Sequence, residues 1–308
     1  MRTAFFDPTG RLRNGWWILI FLALMFASRF AYTPVSRALQ ELGVATHWLE
    51  PLRFGFLLLV TFICVRLRRE PLSSVGFALG ARWARQLGAG ALLGLASALL
   101  AVAMIWAVGG VRFDLDPARS LAAVTYGLYV FAFVALFEET LFRGFVFQRF
   151  VAGAGPLVAQ LALGLVFATS HWGNPDMHGA TLAWATLELF LGAVLLGLAW
   201  LKTRSLALPI GIHLGWNWAL GSLLGFGVSG FEQAGWLRPL LQGLPEWVTG
   251  GRFGPEASVF AVAVDVVLIV ALWRWRGSRA ARDARGVAFA TTPRTIGPSY
   301  PVTISTLS

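Results

Sequence analysis

The stretch FEETLFRG at residues 137–144 places three ionisable side chains in an otherwise apolar segment. The preceding residues, 121–137, carry no charge. Ionisable groups at membrane depth are energetically costly, so by default they mark a functional site. In a helix, Glu139 and Arg143 share one face, whereas Glu138 is turned away from Glu139 by about 100°. The pattern predicts one carboxylate paired with the guanidinium and one free to act as a general base.

The composition indicates a polytopic membrane protein. The chain has 308 residues, is 57% hydrophobic and 13% charged, and has a mean hydropathy of +0.68. A soluble domain has about 25% charged residues. The formal net charge of +10 comes from basic residues that cluster between apolar runs, which favours membrane lipid with anionic headgroups as a partner and not nucleic acid. The single cysteine, Cys64, excludes an internal disulfide.

Eight apolar runs predict an all-α bundle of about eight transmembrane spans. They lie at about residues 15–35, 52–65, 87–111, 121–150, 157–170, 182–201, 206–226 and 257–273. Residues 1–14 form a predicted cytoplasmic N-terminal segment, residues 15–276 the membrane bundle, and residues 277–308 a disordered cytoplasmic tail. The distribution of basic residues predicts a multi-pass cell-membrane protein with both termini in the cytoplasm.

Three of the apolar segments each carry two notable side chains four residues apart. The pairs are Glu139 with Arg143, Phe167 with His171, and His213 with Asn217. Each pair alone has a structural interpretation, because a Glu–Arg pair or a His–Asn pair can simply link helices, and a histidine at a helix end is often interfacial. The occurrence of all three in one apolar chain favours a shared functional site.

The ordered set Glu-Glu-x-x-x-Arg, Phe-x-x-x-His and His-x-x-x-Asn resembles the CAAX protease and bacteriocin-processing family, the Rce1-like group of intramembrane endopeptidases. The resemblance covers about residues 121–226 and includes the lead-in LALPIG at residues 206–211. It implies that Glu138 with His171 activates the attacking water and that His213 with Asn217 stabilises the oxyanion. It also implies that Glu139, Arg143 and Phe167 support the site.

The resemblance leaves the role of a metal open, because the family is labelled as metalloproteases. If a zinc ion is used, the ligands are Glu138, His171 and His213, which are residue types that catalytic zinc sites use. The same groups also suffice without metal as a base and oxyanion donors. We favour the interpretation without a tightly held metal, and no cofactor is assigned with certainty.

Two further acids lie in predicted spans. Glu188 is interpreted either as a partner of the site or as a group facing a polar cavity. Asp265 lies outside the resemblance and is interpreted as structural.

The leading functional hypothesis is an intramembrane, CAAX prenyl protease-like endopeptidase that cuts a peptide or protein reaching the bilayer. A second is a non-catalytic bacteriocin-immunity or scaffold protein of the same fold. A third is a proton-coupled transporter in which Glu138, Glu188 and Asp265 relay protons. The complete motif set favours the enzyme.

Overall fold

The computed structural model describes residues 2–278, apart from the side chains of Arg2 and His47. Its helices are α1 (Arg2–Phe5), α2 (Asn14–Glu41), α3 (Glu50–Leu67), α4 (Ala81–Ala107), α5 (Leu121–Arg143), α6 (Phe145–Ala154), α7 (Pro156–Ser170), α8 (Gly179–Thr203), α9 (Ala207–Trp218), α10 (Glu246–Thr249) and α11 (Val259–Arg274). Short 3₁₀ turns occur at Thr46–Leu49, Leu72–Val75 and Pro255–Ala257, and a π turn at Ala219–Leu223. The predicted tail lies almost wholly outside the described residues.

A helix occurs at each of the eight predicted positions, but eight spans are not confirmed. Within residues 2–278, four helical stretches are long and apolar enough to cross a membrane: Asn14–Glu41, Ala81–Ala107, Leu121–Ala154 and Gly179–Thr203. The other helices fall short for different reasons. Helix α3 carries charges at Glu50, Arg53 and Arg66, and α7, α9 and α11 are shorter than 18 residues.

Helix α5 carries the FEETLFRG stretch and ends within it. It begins after Ser120, whose hydroxyl accepts a hydrogen bond from the Ala123 amide at 3.0 Å. It ends at Arg143 because Gly144 has a ψ of −127°, far from helical. A Cβ at Gly144 would collide with the carbonyl oxygen of Thr140. The uninterrupted helix expected up to about residue 150 is therefore broken once, before α6 continues to Ala154.

Helices α4 and α9 pack with their backbones in close approach. The contact is formed by Gly90 and Gly94 on α4 and by Gly211 and Gly215 on α9. A Cβ at any of these positions would overlap backbone atoms of the opposite helix. Small residues allow such approach between membrane helices. This packing fixes the position of α9 and therefore of its polar side chains.

The structure is mostly helical, as predicted, and it also contains one small two-stranded sheet among the described residues. Strands β1 (Val111–Leu115) and β2 (Leu237–Leu241) pair antiparallel, with Val111 opposite Leu241 and Leu115 opposite Leu237. The sequence analysis did not identify the first strand because Arg112 and the following charges indicate a loop. The pairing joins the connection after α4 to a segment far along the chain.

Residues 224–258, which we call the cap segment, fold back over the helices. Phe226, Phe253 and Ala257 are buried in the helical core. Phe253 packs with Phe167 and Met177, so the cap segment is anchored against α7 and the α7–α8 connection. The side chain of Asn174 in that connection donates a hydrogen bond to the carbonyl oxygen of Ser229 at 2.9 Å.

Candidate active site

Glu139 lies at the centre of a buried polar network. Its side chain has no exposed surface, and its Oε1 accepts a hydrogen bond from Nη1 of Arg143 at 3.0 Å. Oε1 also lies 2.9 Å from Nδ1 of His213. Arg143 donates through Nη2 to the carbonyl oxygen of Ala193 at 3.0 Å, which ties α5 to α8. The predicted Glu139–Arg143 pair is present, and His213 is an additional member.

Glu138 points away from that network and into a cavity of about 720 Å³. Its side chain is 24% exposed, and its Oε2 lies 3.9 Å from Nε2 of His213. Glu138, His171, His213 and Asn217 all line this cavity, whereas Glu139 and Arg143 lie behind its wall. The four predicted catalytic side chains therefore come from three different helical segments to face one space.

The hydrogen bonds of His171 define its tautomer. Its Nδ1 lies 2.8 Å from the carbonyl oxygen of Phe167, one turn earlier in α7. A carbonyl oxygen only accepts, so Nδ1 carries the proton. In the neutral ring, Nε2 is then left as an acceptor. The Phe-x-x-x-His spacing thus places the Phe167 carbonyl one helical turn before the histidine, where it accepts from Nδ1. The centroids of the Phe167 ring and the His171 imidazole ring are 4.8 Å apart.

Asn217 lies one helical turn after His213 on α9, as the spacing predicts. It is buried and lines the cavity. No hydrogen bond joins its side chain to another residue within the described range 2–278. Its amide group is therefore available to a molecule in the cavity.

Glu188 and Asp265 line the same cavity. For Glu188, this position is compatible with both interpretations, a partner of the site and a group facing a polar cavity. Asp265, which lies outside the resemblance and was interpreted as structural, also belongs to the cavity wall. Its position in the sequence did not indicate this place.

Glu256 is a cavity residue that the sequence analysis missed. It is buried in the cap segment, where it accepts hydrogen bonds from the amide of Ser229 and from the indole Nε1 of Trp216. No motif or periodicity marks it, since it follows a Gly-rich connection. Only the folding of the cap segment over the helices brings it to the cavity.

The residues that a zinc ion would need do not form a ligand set in this arrangement. In His171 and His213, Nδ1 is engaged in a hydrogen bond, so Nε2 is the ring nitrogen left to bind a metal. This feature by itself is typical of histidine ligands. However, no three His, Cys, Asp or Glu side chains among residues 2–278 are grouped so that they could hold a metal ion. Glu138, His171 and His213 share the cavity without converging on one point.

Residues 120–219 match the family model described as Rce1-like, type II CAAX prenyl endopeptidase. No significant match was found among curated proteins or among solved structures. The matched segment begins one residue before α5 and ends one residue after α9, so it includes all four predicted catalytic side chains. The match confirms the resemblance indicated by the three motifs. This chain therefore carries an Rce1-like region, residues 120–219, and that region builds most of the cavity.

Proposed function

We propose that this protein is an intramembrane endopeptidase that hydrolyses a peptide bond with water activated by Glu138 and His171. The observation that carries the proposal is the convergence of Glu138, His171, His213 and Asn217 on one cavity within an apolar chain. Such a cavity is within the range of about 300–1,000 Å³ that small-molecule sites occupy. A short peptide segment in extended form fits such a space.

In the proposed reaction, Glu138 takes a proton from water as it attacks the scissile carbonyl. Its partial exposure to the cavity gives it access to that water. His171 assists because its Nδ1 proton is held by the Phe167 carbonyl and its Nε2 can accept or return a proton. The proton then passes to the leaving amine, so the general base becomes the general acid in the second half of the reaction.

His213 and Asn217 would donate hydrogen bonds to the oxyanion of the tetrahedral intermediate. Nδ1 of His213 donates a hydrogen bond to Glu139. Nε2 can donate a second hydrogen bond at the same time only when the imidazole ring is protonated. With that proton, Glu138, Glu139, Arg143 and His213 have a total charge of zero. Glu139 therefore orients His213 and stabilises the positive charge of its protonated ring, and Arg143 holds Glu139 in place.

The experiment that tests the proposal compares membrane peptides from cells that express the wild-type protein or the Glu138→Ala variant at equal levels. We expect a set of cleaved peptides, with new termini near a predicted membrane boundary, to be present with the wild type and absent with the variant. Identical peptide profiles at equal protein levels would overturn the proposal. A non-catalytic immunity or scaffold protein would keep its biological effect in this variant.

The presence of Glu138, Glu188 and Asp265 in one cavity also keeps the transporter as a second candidate. The distinguishing measurement is proton flux into liposomes that contain the purified protein. A transporter shows flux that depends on Glu188 and Asp265 with no peptide cleavage. The endopeptidase shows cleavage that depends on Glu138 with no flux.

A further inference from the structure

Three carboxylates from three elements meet in one part of the cavity. Glu188 comes from α8, Asp265 from α11, and Glu256 from the turn before α11. They are 5%, 4% and 4% exposed, respectively. The three carboxyl groups are close enough to interact electrostatically. We call this group the acidic cluster.

The members of the acidic cluster differ in how far their hydrogen-bonding needs are met. Glu256 accepts from the amide and the hydroxyl of Ser229 and from Trp216. By contrast, no hydrogen bond or ion pair joins the side chain of Glu188 or of Asp265 to another residue in the described range. Oδ2 of Asp265 is buried without a hydrogen-bond partner. Burying a carboxylate without a hydrogen-bond partner is destabilising. This side of the cavity therefore favours a molecule that brings hydrogen-bond donors to Glu188 and Asp265.

Among the described residues, no lysine or arginine side chain lies against this part of the cavity. Apart from the two histidines, the basic side chain that lines the cavity is Arg53. Arg53 is paired with Glu50 at 3.7 Å and lies over the ring of Phe137 at 4.0 Å. Arg53 therefore interacts with residues of α3 and α5, on the part of the cavity wall that these two helices form.

We propose that the acidic cluster is a subsite for a positively charged side chain, lysine or arginine, of the peptide that occupies the cavity. This inference rests on the proposed endopeptidase function. An ammonium or guanidinium group supplies the donors that Glu188 and Asp265 lack. A metal ion fits less well, because no three acidic or histidine side chains of residues 2–278 form a ligand group.

The position of the acidic cluster predicts which substrate residue it binds. Glu188 precedes Ala193 by five residues on α8. The carbonyl oxygen of Ala193 accepts the hydrogen bond from Arg143. Five residues of helix rise by about 7.5 Å. An extended peptide covers about 3.4 Å per residue, so a peptide that runs along α8 and is cut at the level of Arg143 places its cation about two residues from that bond.

A binding measurement tests the subsite without requiring turnover. The probes are three fluorescein-labelled nonapeptide pools, randomised over apolar residues, with lysine, norleucine or glutamate at the centre. Binding to the Glu138→Gln variant in detergent is followed by fluorescence polarisation. We expect the lysine pool to bind at least about tenfold more tightly than the norleucine pool. The overall charge of +10 favours the glutamate pool, so a preference for lysine must have a local origin.

Second variants then assign the preference to the acidic cluster. Adding Asp265→Asn or Glu188→Gln should reduce the lysine-to-norleucine ratio to near one. The ratio is measured within each variant, so a general loss of folded protein cancels. Asp114→Asn is the matched control, because it removes the same charge from the exposed strand β1 and should leave the ratio unchanged. Equal binding of the lysine and norleucine pools, no binding of either, or a lysine preference that survives both substitutions would overturn the subsite.

A cleavage arm separates failure of the subsite from failure of the proposed function. Wild-type protein is incubated with the same pools, and the new termini are mapped by mass spectrometry. Cleavage without enrichment of lysine near the cut overturns the subsite but leaves the endopeptidase intact. Tight binding of the lysine pool with no cleavage keeps a cation site and argues against the endopeptidase.

Discussion

Glu138 and Glu139 are adjacent in sequence but lie in opposite environments. Glu139 is fully buried between Arg143 and His213, and Glu138 faces the cavity. One helical step of about 100° produces this difference. The two carboxylates are therefore expected to respond differently to the same substitution.

Replacing Glu138 with glutamine removes the proposed base and keeps the size of the side chain. We expect the cleavage rate to fall by ~10²–10⁴-fold, as is typical when a positioned general base is lost. The melting temperature in detergent should stay close to that of the wild type, because Glu138 is bonded to the buried network only through a long contact with His213. Rate and melting temperature are measured on the same preparation.

Replacing Glu139 with glutamine leaves the Arg143 guanidinium buried without its counter-charge. Breaking a buried ion pair in this way costs on the order of 3–5 kcal/mol. The variant should melt earlier than the wild type, and its activity should fall because His213 also loses its acceptor. A stable but inactive Glu139→Gln together with an early-melting Glu138→Gln would show that the two roles are reversed.

Chelation tests the proposed mechanism without metal. The site residues do not converge on a metal position, so exhaustive treatment of the purified protein with a chelator should leave the cleavage rate unchanged. Activity lost on chelation and restored by added zinc would contradict the mechanism. Melting curves recorded with and without chelator distinguish an effect on the site from unfolding.

The spacing of residues along the sequence predicted the contacts within one helix but not the contacts between helices. The Glu139–Arg143 pair and the shared face of His213 and Asn217 follow from four-residue spacing. The bond between His213 and Glu139 joins residues 74 positions apart, so it depends on how α5 and α9 pack. Glu256 reaches the cavity through an irregular segment, for which the sequence offers no periodicity to interpret.

At the scale of elements, the close packing of α4 against α9 positions part of the site. Gly90 and Gly94 face Gly211 and Gly215, and the helices approach until backbone meets backbone. His213 lies between the two glycines of α9. The distance between α4 and α9 therefore determines where His213 stands relative to Glu138.

Gly94→Ala should displace α9. Its added methyl group would overlap the carbonyl oxygen of Ile212, next to His213. Overpacking of a close contact typically costs about 1–3 kcal/mol. We expect a lower melting temperature and a lower cleavage rate. Gly88→Ala is the control on the same helix, because a Cβ there meets nothing within 4 Å, and a comparable loss in that variant would contradict the packing argument.

Helix positions were predictable from apolar runs, whereas interruptions were not. The break at Gly144 follows directly on Arg143, with apolar residues resuming at Phe145, and a glycine at such a position is compatible with an unbroken helix. The strand β1 was hidden because its alternation is only five residues long and includes Arg112 and Asp114. In both cases the local sequence is compatible with more than one backbone conformation, and packing against distant parts of the chain selects one of them.

At the scale of the whole molecule, the orientation in the membrane rests on the distribution of basic residues. Arg66, Arg68 and Arg69 cluster at the end of α3, and a further basic group lies at and after the end of α11. Cytoplasmic loops carry such an excess. An even number of crossings then returns the chain to the side on which it began.

Reporter fusions test that orientation. A reporter that is active only in the cytoplasm should give signal when fused after Ser308 and when inserted after Glu70. It should give none when inserted in the turn after β1, at residues 116–119. Signal from that turn, with none from the C-terminus, would reverse the orientation. Equal protein levels are confirmed by immunoblotting.

The π turn Ala219–Leu223, directly after α9, has a consequence for how related chains can differ in length. A π turn closes each hydrogen bond over five residues instead of four, so it holds one residue more than an α turn. Deleting one residue there converts the turn to α-helical geometry and leaves His213 and Asn217 in register. The same deletion inside α9 would rotate one of them off the shared face. Alignment gaps in this part of the molecule should therefore fall at positions 219–223 and not within α9.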